Sequence, residues 1–241
     1  DGVILKDLKM DINDKAVVRR GSPALHKELG HSGNDLAIIA GDLAYTIALQ
    51  TFTSLDAPAS VTVRLLGRIL AITHDTGVGQ LKDIENATEP LPLLKEEDVL
   101  RADLLKTARY GFEAPLQVGA ILCGVHDEEL DRIAKVALPL GEAFQLKDDL
   151  DDLAGGTLEK SLPVVHAYHH GDQDDKSVIL SALENGSSDE LMHVLEKRDS
   201  IAYTQAKINR LLRQALIALD ALSMRANEKE ALRELAQRLL V

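Results

Sequence analysis

A run of carboxylates in the second half of the chain is the stretch best suited to chemistry. Residues 144–152 read FQLKDDLDD. On a helix at 100° per residue, the leucines point one way and four polar residues share the other face: Gln145, Asp148, Asp151 and Asp152. Hard oxygen ligands of this kind suit Mg²⁺, which takes its other ligands from water and substrate phosphate. A solvated acidic face and a Mg²⁺-binding face are both compatible with this stretch alone.

A second acidic face is predicted near the start of the chain. Asp7, Asp11 and Asp14 follow one another at i, i+4 and i+7, so they share one side of a helix. Two such faces opposite each other in a helical bundle would hold two or three Mg²⁺ ions, which would bind a diphosphate. The negative charge of the diphosphate that the metal ions leave unneutralised requires cationic side chains. The candidates are Arg19, Arg20, Lys106 and Lys160. These residues favour metal-assisted departure of diphosphate, since we find no Ser/His/Asp set and no Gly-rich phosphate loop.

Composition restricts the classes of protein and partner. The 241 residues are 45% hydrophobic, with few aromatic residues and no Trp, which favours an aliphatic core between helices. The net charge of −12 and the lack of a basic run predict no nucleic-acid partner. The single Cys123 excludes an internal disulfide framework and is consistent with a reducing, cytoplasmic location. No apolar run approaches the roughly 18 residues of a membrane span, so none is predicted.

Almost the whole chain is predicted to be helical, because apolar residues recur at spacings of three and four. Glycine and proline interrupt this pattern, so we expect helices over about residues 2–15, 34–55, 58–86, 96–125 with a kink at Pro115, 128–153, from 161, from 187, 201–222 and 227–241. Gly77 and Gly79 each cost about 1 kcal/mol inside a helix. They indicate either close packing or a locally weak helix. We expect one all-α domain over residues 1–241, because no linker is long enough to separate two.

The order of the motifs resembles that of the trans-isoprenyl diphosphate synthases, the polyprenyl synthetase family. The matching pieces extend over nearly the whole chain: DIND at 11–14, RRG at 19–21 with His26, AGD at 40–42, GQ at 79–80 with Asp83, KTA at 106–108, GA at 119–120, GEAFQ at 141–145, the carboxylates of 148–152 and KSLP at 160–163.

This resemblance implies an isoprenoid-synthase-type helical bundle around a central cavity, acting as a homodimer. It also implies a Mg²⁺-dependent reaction of the farnesyl or geranylgeranyl type. An allylic diphosphate ionises, the double bond of isopentenyl diphosphate attacks the cation, and proton loss gives a polyprenyl diphosphate five carbons longer, with release of diphosphate.

The resemblance also implies roles for individual residues. The implied Mg²⁺ ligands, or their close support, are Asp11, Asp14, Asp148, Asp149 and Asp152. The residues implied in catalysis are Lys106, Thr107 and Gln145, where Thr107 and Gln145 stabilise the developing cation or the departing group. The residues implied in substrate binding are Arg19, Lys106, Gln145 and Lys160, with Arg20 for isopentenyl diphosphate.

The chain departs from the family pattern in two respects. Met10 stands where the first acidic motif should begin with Asp, and a thioether is a poor ligand for Mg²⁺. The resemblance also implies an N-terminal segment and a longer loop between residues 152 and 160 than the given sequence shows, and both segments left out of this sequence and true deletions are compatible with that difference. Three alternatives follow: Asp7 replaces the lost ligand, the enzyme is weakened, or the chain is a regulatory subunit of a heteromeric synthase. A terpene cyclase with the same fold is a further alternative.

Three histidines near the predicted helix start at residue 161 are a separate feature. They could ligate a metal or lie at the surface near a helix end: His166, His169 and His170.

Overall fold

The computed structural model describes residue 12, residues 17–19 and residues 21–240, with the backbone alone at Arg19. The chain divides into two compact units, Asp1–Gly67 and Arg68–Val241. Several predicted site residues lie outside the described residues: Asp7, Met10, Asp11, Asp14 and Arg20. The first acidic face therefore stays a prediction, as does the expected single domain.

The first unit contains a small hairpin followed by helices. Val18–Arg19 (β1) and Ser22–Pro23 (β2) pair in antiparallel register, where the sequence predicted a break. The helices that follow are Leu25–Glu28 (α1), a 3₁₀ turn at Gly30–Ser32, Gly33–Thr53 (α2) and the beginning of Ala59–Thr88 (α3).

All regular elements among the described residues of the second unit are helices. After the remainder of α3, its elements are Glu96–Asp103 (α4), a π-helix at Leu104–Glu113, Ala114–Leu122 (α5), Asp127–Ala154 (α6), Leu162–His170 (α7), Gln173–Asn185 (α8), Ser188–Lys197 (α9), Ser200–Asp220 (α10) and Ala226–Leu240 (α11). The predicted all-α class is confirmed.

The helix predicted over residues 96–125 is continuous from Glu96 to Leu122, but it does not keep α-helical geometry throughout. Three helical segments occupy this range, and the middle one is the π-helix that carries Lys106 and Thr107. Pro115 lies in the first turn of α5, where its missing N–H removes no hydrogen bond from an established α-helix. Widened turns of this type occur frequently at functional sites. Here the π-helix carries two candidate catalytic residues, Lys106 and Thr107.

Helix caps agree only in part with the sequence. Ser187 and Glu190 have the spacing of a capping box in the sequence, but the Ser187 side chain makes no cap hydrogen bond. A capping box is found instead at the start of α8, where Asp172 accepts from the Asp175 backbone N–H and Asp175 accepts from that of Asp172. Several side chains compete for such N–H groups, and spacing alone did not identify the correct pair.

The long helix α6 is oriented by its apolar face. Leu146 is fully buried in a cluster with Ile208 and Leu211 of α10, and Leu153 is buried in a neighbouring cluster with Val164 of α7. Burial of these leucines stabilises the fold by about 1.5–3 kcal/mol each. It also directs the opposite face, with its carboxylates, away from this core, as the helical pattern predicted.

Two glycines bring neighbouring helices to within backbone contact of the π-helix. A Cβ atom at Gly79 of α3 would lie 2.4 Å from the backbone nitrogen of Lys106. A Cβ atom at Gly141 of α6 would lie 2.5 Å from Cα of Ala108. At Gly77, in contrast, a Cβ atom meets nothing within 4 Å. Close packing is therefore the reason for Gly79 but not for Gly77.

One helical stretch of the described chain, Gly30–Thr53, is long and apolar enough to cross a membrane. The expectation that no such stretch exists is therefore wrong on length and composition. A single stretch of this kind near the N-terminus is weak evidence for a membrane protein, because core helices and signal sequences have the same length and composition.

The two glycines of α3 give a matched pair of substitutions. We expect Gly79→Ala to destabilise the protein by about 1–3 kcal/mol, because its methyl group would overlap the π-helix backbone. Gly77→Ala should stabilise it by up to about 1 kcal/mol, because alanine is the better helix former. Urea unfolding followed by circular dichroism measures both, and equal effects of the two substitutions would contradict the packing argument.

Candidate active site

A chain of hydrogen bonds connects the π-helix to the acidic stretch of α6. Thr107 Oγ1 donates to Gln145 Oε1 at 2.7 Å, and Gln145 Nε2 donates to Asp149 Oδ1 at 2.8 Å. All three residues are partly buried. The donor and acceptor ends of the Gln145 amide are therefore both used, which fixes its orientation. Three of the predicted site residues thus form one connected group.

Lys106 is held beside this group by an ion pair with α3. Its Nζ lies 2.5 Å from Asp83 Oδ2, and the side chains are 22% and 37% exposed, respectively. The pairing depends on the approach of α3 to the π-helix at Gly79, four residues before Asp83. Lys106 is thus a positioned cation that stays accessible to solvent.

Asp103 is a buried carboxyl that the sequence analysis missed. It ends α4, one turn before Lys106, and is 7% exposed. Burial raises the pKa of Asp103 well above its ordinary value, the charges of Asp149 and Asp83 raise it further, and Lys106 acts in the opposite direction. No described residue donates a hydrogen bond to Asp103 Oδ2. In the sequence, the i, i+3 spacing of Asp103 and Lys106 places them on one side of a helix. This spacing does not show that Asp103 lies close to Asp149 of the acidic motif.

Asp149 is a partly buried carboxyl of the acidic motif with a strongly raised pKa. Burial raises the pKa of Asp149 from 3.8 to about 7. The hydrogen bond from Gln145 opposes this rise, whereas the charges of Glu159, Asp148 and Asp152 add to it. The carboxylates of this motif therefore share one electrostatic environment. They form a set of hard oxygen donors that a divalent cation would stabilise.

The predicted membership of the acidic face needs one correction. Asp151 is exposed and accepts a hydrogen bond from Lys147 at 2.8 Å. Unlike Asp148 and Asp152, it is not among the main charges that act on Asp149. Asp149, which the helical-wheel argument had not placed on this face, is bound to Gln145. The hydrogen bonds of Gln145 with Thr107 and Asp149 thus mark the side of α6 that faces the π-helix.

Lys160, which is predicted to bind phosphate, donates to backbone carbonyls in this structure. Its Nζ donates to the backbone oxygens of Ala87 and Glu89, at 2.8 and 2.6 Å. These carbonyls lie at the C-terminal end of α3, where a cation is favoured by the helix dipole. Lys160 therefore ties the segment before α7 to the end of α3.

A further ion-pair group supports the π-helix from α3. Arg109 Nη2 donates to Asp75 Oδ2 at 2.6 Å, and Arg109 Nη1 lies 3.0 Å from the buried Glu113 carboxylate. The sequence analysis did not identify these residues, because their charges looked like an exposed helix face. They fix the π-helix against α3 near the Lys106–Asp83 pair.

The structure thus brings together the predicted residues of the second unit only in part. Lys106 and Asp149 both act on the charge of Asp103, and Thr107 and Gln145 connect to Asp149. Lys160 makes its contacts with α3 instead. The Arg19 side chain and the whole of Arg20, Asp11 and Asp14 lie outside the described residues. Their predicted roles stay predictions.

Comparison with known proteins gives consistent matches along the chain. The family model described as polyprenyl synthetase matches residues 8–197. Octaprenyl diphosphate synthase from Escherichia coli (strain K12) is 30% identical over 231 residues, which cover 88% of this chain and 68% of that protein. Geranylgeranyl pyrophosphate synthetase from Pyrococcus horikoshii Ot3 superimposes with a TM-score of 0.86 at 25% identity, covering 99% of this chain and 76% of that one.

A second solved structure shows the same fold. It is geranylgeranyl pyrophosphate synthase from Corynebacterium glutamicum complexed with isoprenyl diphosphate and magnesium, with a TM-score of 0.87 at 22% identity. The match covers 98% of this chain and 75% of that one. The predicted isoprenoid-synthase-type architecture is therefore confirmed.

The raised pKa of Asp149 predicts how stability depends on pH in the metal-free protein. The folded state keeps this proton up to about pH 7, whereas the unfolded chain loses it near pH 4. Between these values the folded state binds more protons, so the free energy of unfolding should fall as pH rises. Asp149→Asn mimics the protonated acid, and we expect it to stabilise the protein at pH 8 by on the order of 2 kcal/mol.

Urea unfolding at pH 5 and pH 8 in EDTA measures this effect. The pH slope should be shallower in Asp149→Asn than in the wild type. Part of the slope should remain, because the pKa of Asp103 is raised too. The control is Asp151→Asn, which removes only an exposed ion pair with Lys147 and should change stability by less than about 0.5 kcal/mol. A variant Asp149→Asn that is less stable than the wild type at pH 8 would contradict the argument.

Proposed function

The chain belongs to the polyprenyl synthetase family, and we propose that it is a prenyl transferase. It condenses isopentenyl diphosphate with an allylic diphosphate to a longer trans-polyprenyl diphosphate and releases diphosphate. The observation that supports this best is the connected group of Thr107, Gln145 and Asp149 beside Lys106. It combines a cation for phosphate, neutral oxygen dipoles and a set of carboxylates in one site.

The acidic motif of α6 fits Mg²⁺ by its chemistry. Asp148, Asp149 and Asp152 offer only oxygen ligands, and burial, with a smaller effect of the neighbouring carboxylates, raises the pKa of Asp149. We propose that these three residues hold Mg²⁺ together with Asp11 and Asp14 of the first motif. When bound, Mg²⁺ supplies positive charge that neutralises the diphosphate and assists its departure.

Lys106 is proposed to bind the allylic diphosphate. Its contact with Asp83 holds the ammonium group in place before substrate arrives, which reduces the entropy lost on binding. Arg19 and Lys160 are proposed partners of the same diphosphate, and Arg20 of isopentenyl diphosphate. Lys160 would have to exchange its two backbone carbonyls for phosphate oxygens.

Thr107 and Gln145 are proposed to stabilise the positive charge that forms when the allylic carbon–oxygen bond breaks. The Thr107 hydroxyl donates its single proton to Gln145, so its oxygen can offer only lone pairs to other groups. An oxygen oriented in this way favours a carbocation, and it costs no reorientation during the reaction.

We also propose that the protein acts as a homodimer in the cytoplasm. One face of α2 carries apolar side chains that are between 48% and 61% exposed, a stripe suited to contact with a second copy: Leu36, Ile39, Leu43 and Ile47. The single cysteine, Cys123, is reduced and exposed, which is consistent with a reducing compartment.

Substitution of the acidic motif tests the proposed reaction. The full-length protein is incubated with Mg²⁺, radiolabelled isopentenyl diphosphate and allylic primers of different lengths, and the products are separated by chain length. We expect labelled prenyl products that disappear in EDTA. Asp148→Asn and Asp152→Asn should each lower kcat at least about a hundredfold, because a metal ligand contributes several kcal/mol of charge stabilisation.

Asp151→Asn serves as the matched control in that assay. It removes a carboxylate of the same stretch that pairs with Lys147, so its activity should stay within about twofold of the wild type. Equal losses in all three variants would argue against a specific metal-binding face. A hydrocarbon or alcohol product formed without isopentenyl diphosphate would identify a cyclase instead.

Met10 gives a separate prediction about rate. A thioether contributes little to Mg²⁺ binding, so the wild type should have reduced activity. We expect Met10→Asp to raise kcat/KM by about tenfold or more, whereas Met10→Asn, which adds a neutral oxygen, should give a smaller increase. If Met10→Asp leaves the rate unchanged and Asp7→Ala abolishes it, Asp7 already supplies the missing ligand.

A further inference from the structure

A cluster of metal-binding side chains lies outside the proposed prenyl transfer site. Glu96 is the first residue of α4, and His166 and His170 lie one turn apart on α7. One ligand atom of each residue lies within 4.8 Å of those of the other two. The i, i+4 spacing of two histidines on one helix face is a spacing found in zinc sites.

The ring nitrogens of both histidines are oriented by protein groups. His170 Nδ1 lies 2.9 Å from the backbone oxygen of His166. Because a carbonyl only accepts hydrogen bonds, Nδ1 donates, and the lone pair of neutral His170 is on Nε2. His166 Nδ1 lies 2.9 Å from the hydroxyl of the buried Ser200. Histidines that ligate metals are held by such a contact through the other nitrogen.

The carboxylate is oriented in the same way. Tyr203 Oη donates to Glu96 Oε2 at 2.7 Å, and the Tyr203 ring stacks on His166 with centroids 4.0 Å apart. Ser200 and Tyr203 both belong to α10. One helix therefore fixes the side chains that the other two helices supply, which is the arrangement expected of a preorganised site.

The chemistry of the three groups selects the class of metal. Two imidazoles and one carboxylate favour Zn²⁺, Co²⁺ or Ni²⁺ over Mg²⁺, which prefers oxygen ligands alone. We propose that Glu96, His166 and His170 bind one transition-metal dication, with Zn²⁺ as the physiological example, and that the ion joins α4 to α7.

The position of this site relates it to the candidate active site. Glu96 begins α4 and Asp103 ends it, about 10 Å away along the helix axis. α7 begins two residues after Lys160. An ion between Glu96 and the two histidines therefore constrains the helix that leads into the π-helix and the segment that carries Lys160. Its predicted effect is on stability, without a role in the reaction itself.

Titration of the full-length protein with CoCl₂ in excess Mg²⁺ tests the proposal. Excess Mg²⁺ competes for the carboxylates of α6, and imidazole ligands give Co²⁺ visible absorption bands much stronger than those of an all-oxygen site. We expect one Co²⁺ per chain, displaced by Zn²⁺. We also expect a rise in Tm with Zn²⁺. His170→Ala and Glu96→Gln should each weaken Co²⁺ binding at least about tenfold and abolish the Tm rise.

Two further variants make the result specific. His193→Ala removes an exposed histidine of α9, and Asp148→Asn alters the proposed Mg²⁺ site; both should retain the Co²⁺ spectrum of the wild type. Glu96→Gln keeps an acceptor for Tyr203, so loss of binding in this variant does not require unfolding. Wild-type spectra in His170→Ala and Glu96→Gln, or no Co²⁺ spectrum in the wild type, would overturn the proposal and leave the histidines as stacked structural residues.

Discussion

The candidate site depends on backbone contact between the π-helix and its two neighbours. Gly79 of α3 meets the backbone at Lys106, and Gly141 of α6 meets the backbone at Ala108. No other residue type permits either approach without displacement, because a Cβ atom would overlap backbone atoms. The two contacts place Lys106 beside α3 and Thr107 beside α6. Because no side chain lies between the helices at Gly79 and Gly141, the polar side chains nearby are close enough for direct contact.

The close approach of these helices brings several carboxyl groups together in a partly buried site, which is electrostatically unfavourable. Asp103 and Asp149 both have raised pKa values, with burial as the first cause. Lys106 is the main positive charge that opposes this effect at Asp103. A site with excess negative charge is unfavourable for the metal-free protein, but it is suited to cations that accompany a diphosphate. The buried leucines on the other face of α6 contribute the stability that holds the carboxylates together.

Sequence patterns predicted the elements better than their irregularities. The period of apolar residues identified α6 and the burial of Leu146 and Leu153, because helix amphipathicity is a local property. The π-helix was not predictable, since residues 104–113 keep a helical composition and its widening depends on contacts with α3 and α6. Asp103 was missed for the same reason: its burial depends on distant residues. The motif order predicted roles for Lys106, Thr107 and Gln145, and these roles stay predictions. It could not predict the contacts of Lys160, because its two carbonyl partners lie more than 70 residues away.

Lys106 and Lys160, which are both proposed to bind the allylic diphosphate, are each held in place by oxygen acceptors of the protein. Lys106 contacts a carboxylate, and Lys160 contacts two backbone carbonyls. Each ammonium group thus has oxygen acceptors that limit its rotamers. A diphosphate offers oxygens of higher charge, so binding exchanges one set of acceptors for a stronger one. Asp83, released from Lys106, would add to the negative charge around Asp103. In the proposed reaction, diphosphate binding by Lys106 would therefore favour cations at the acidic motif, which would couple the two binding events electrostatically.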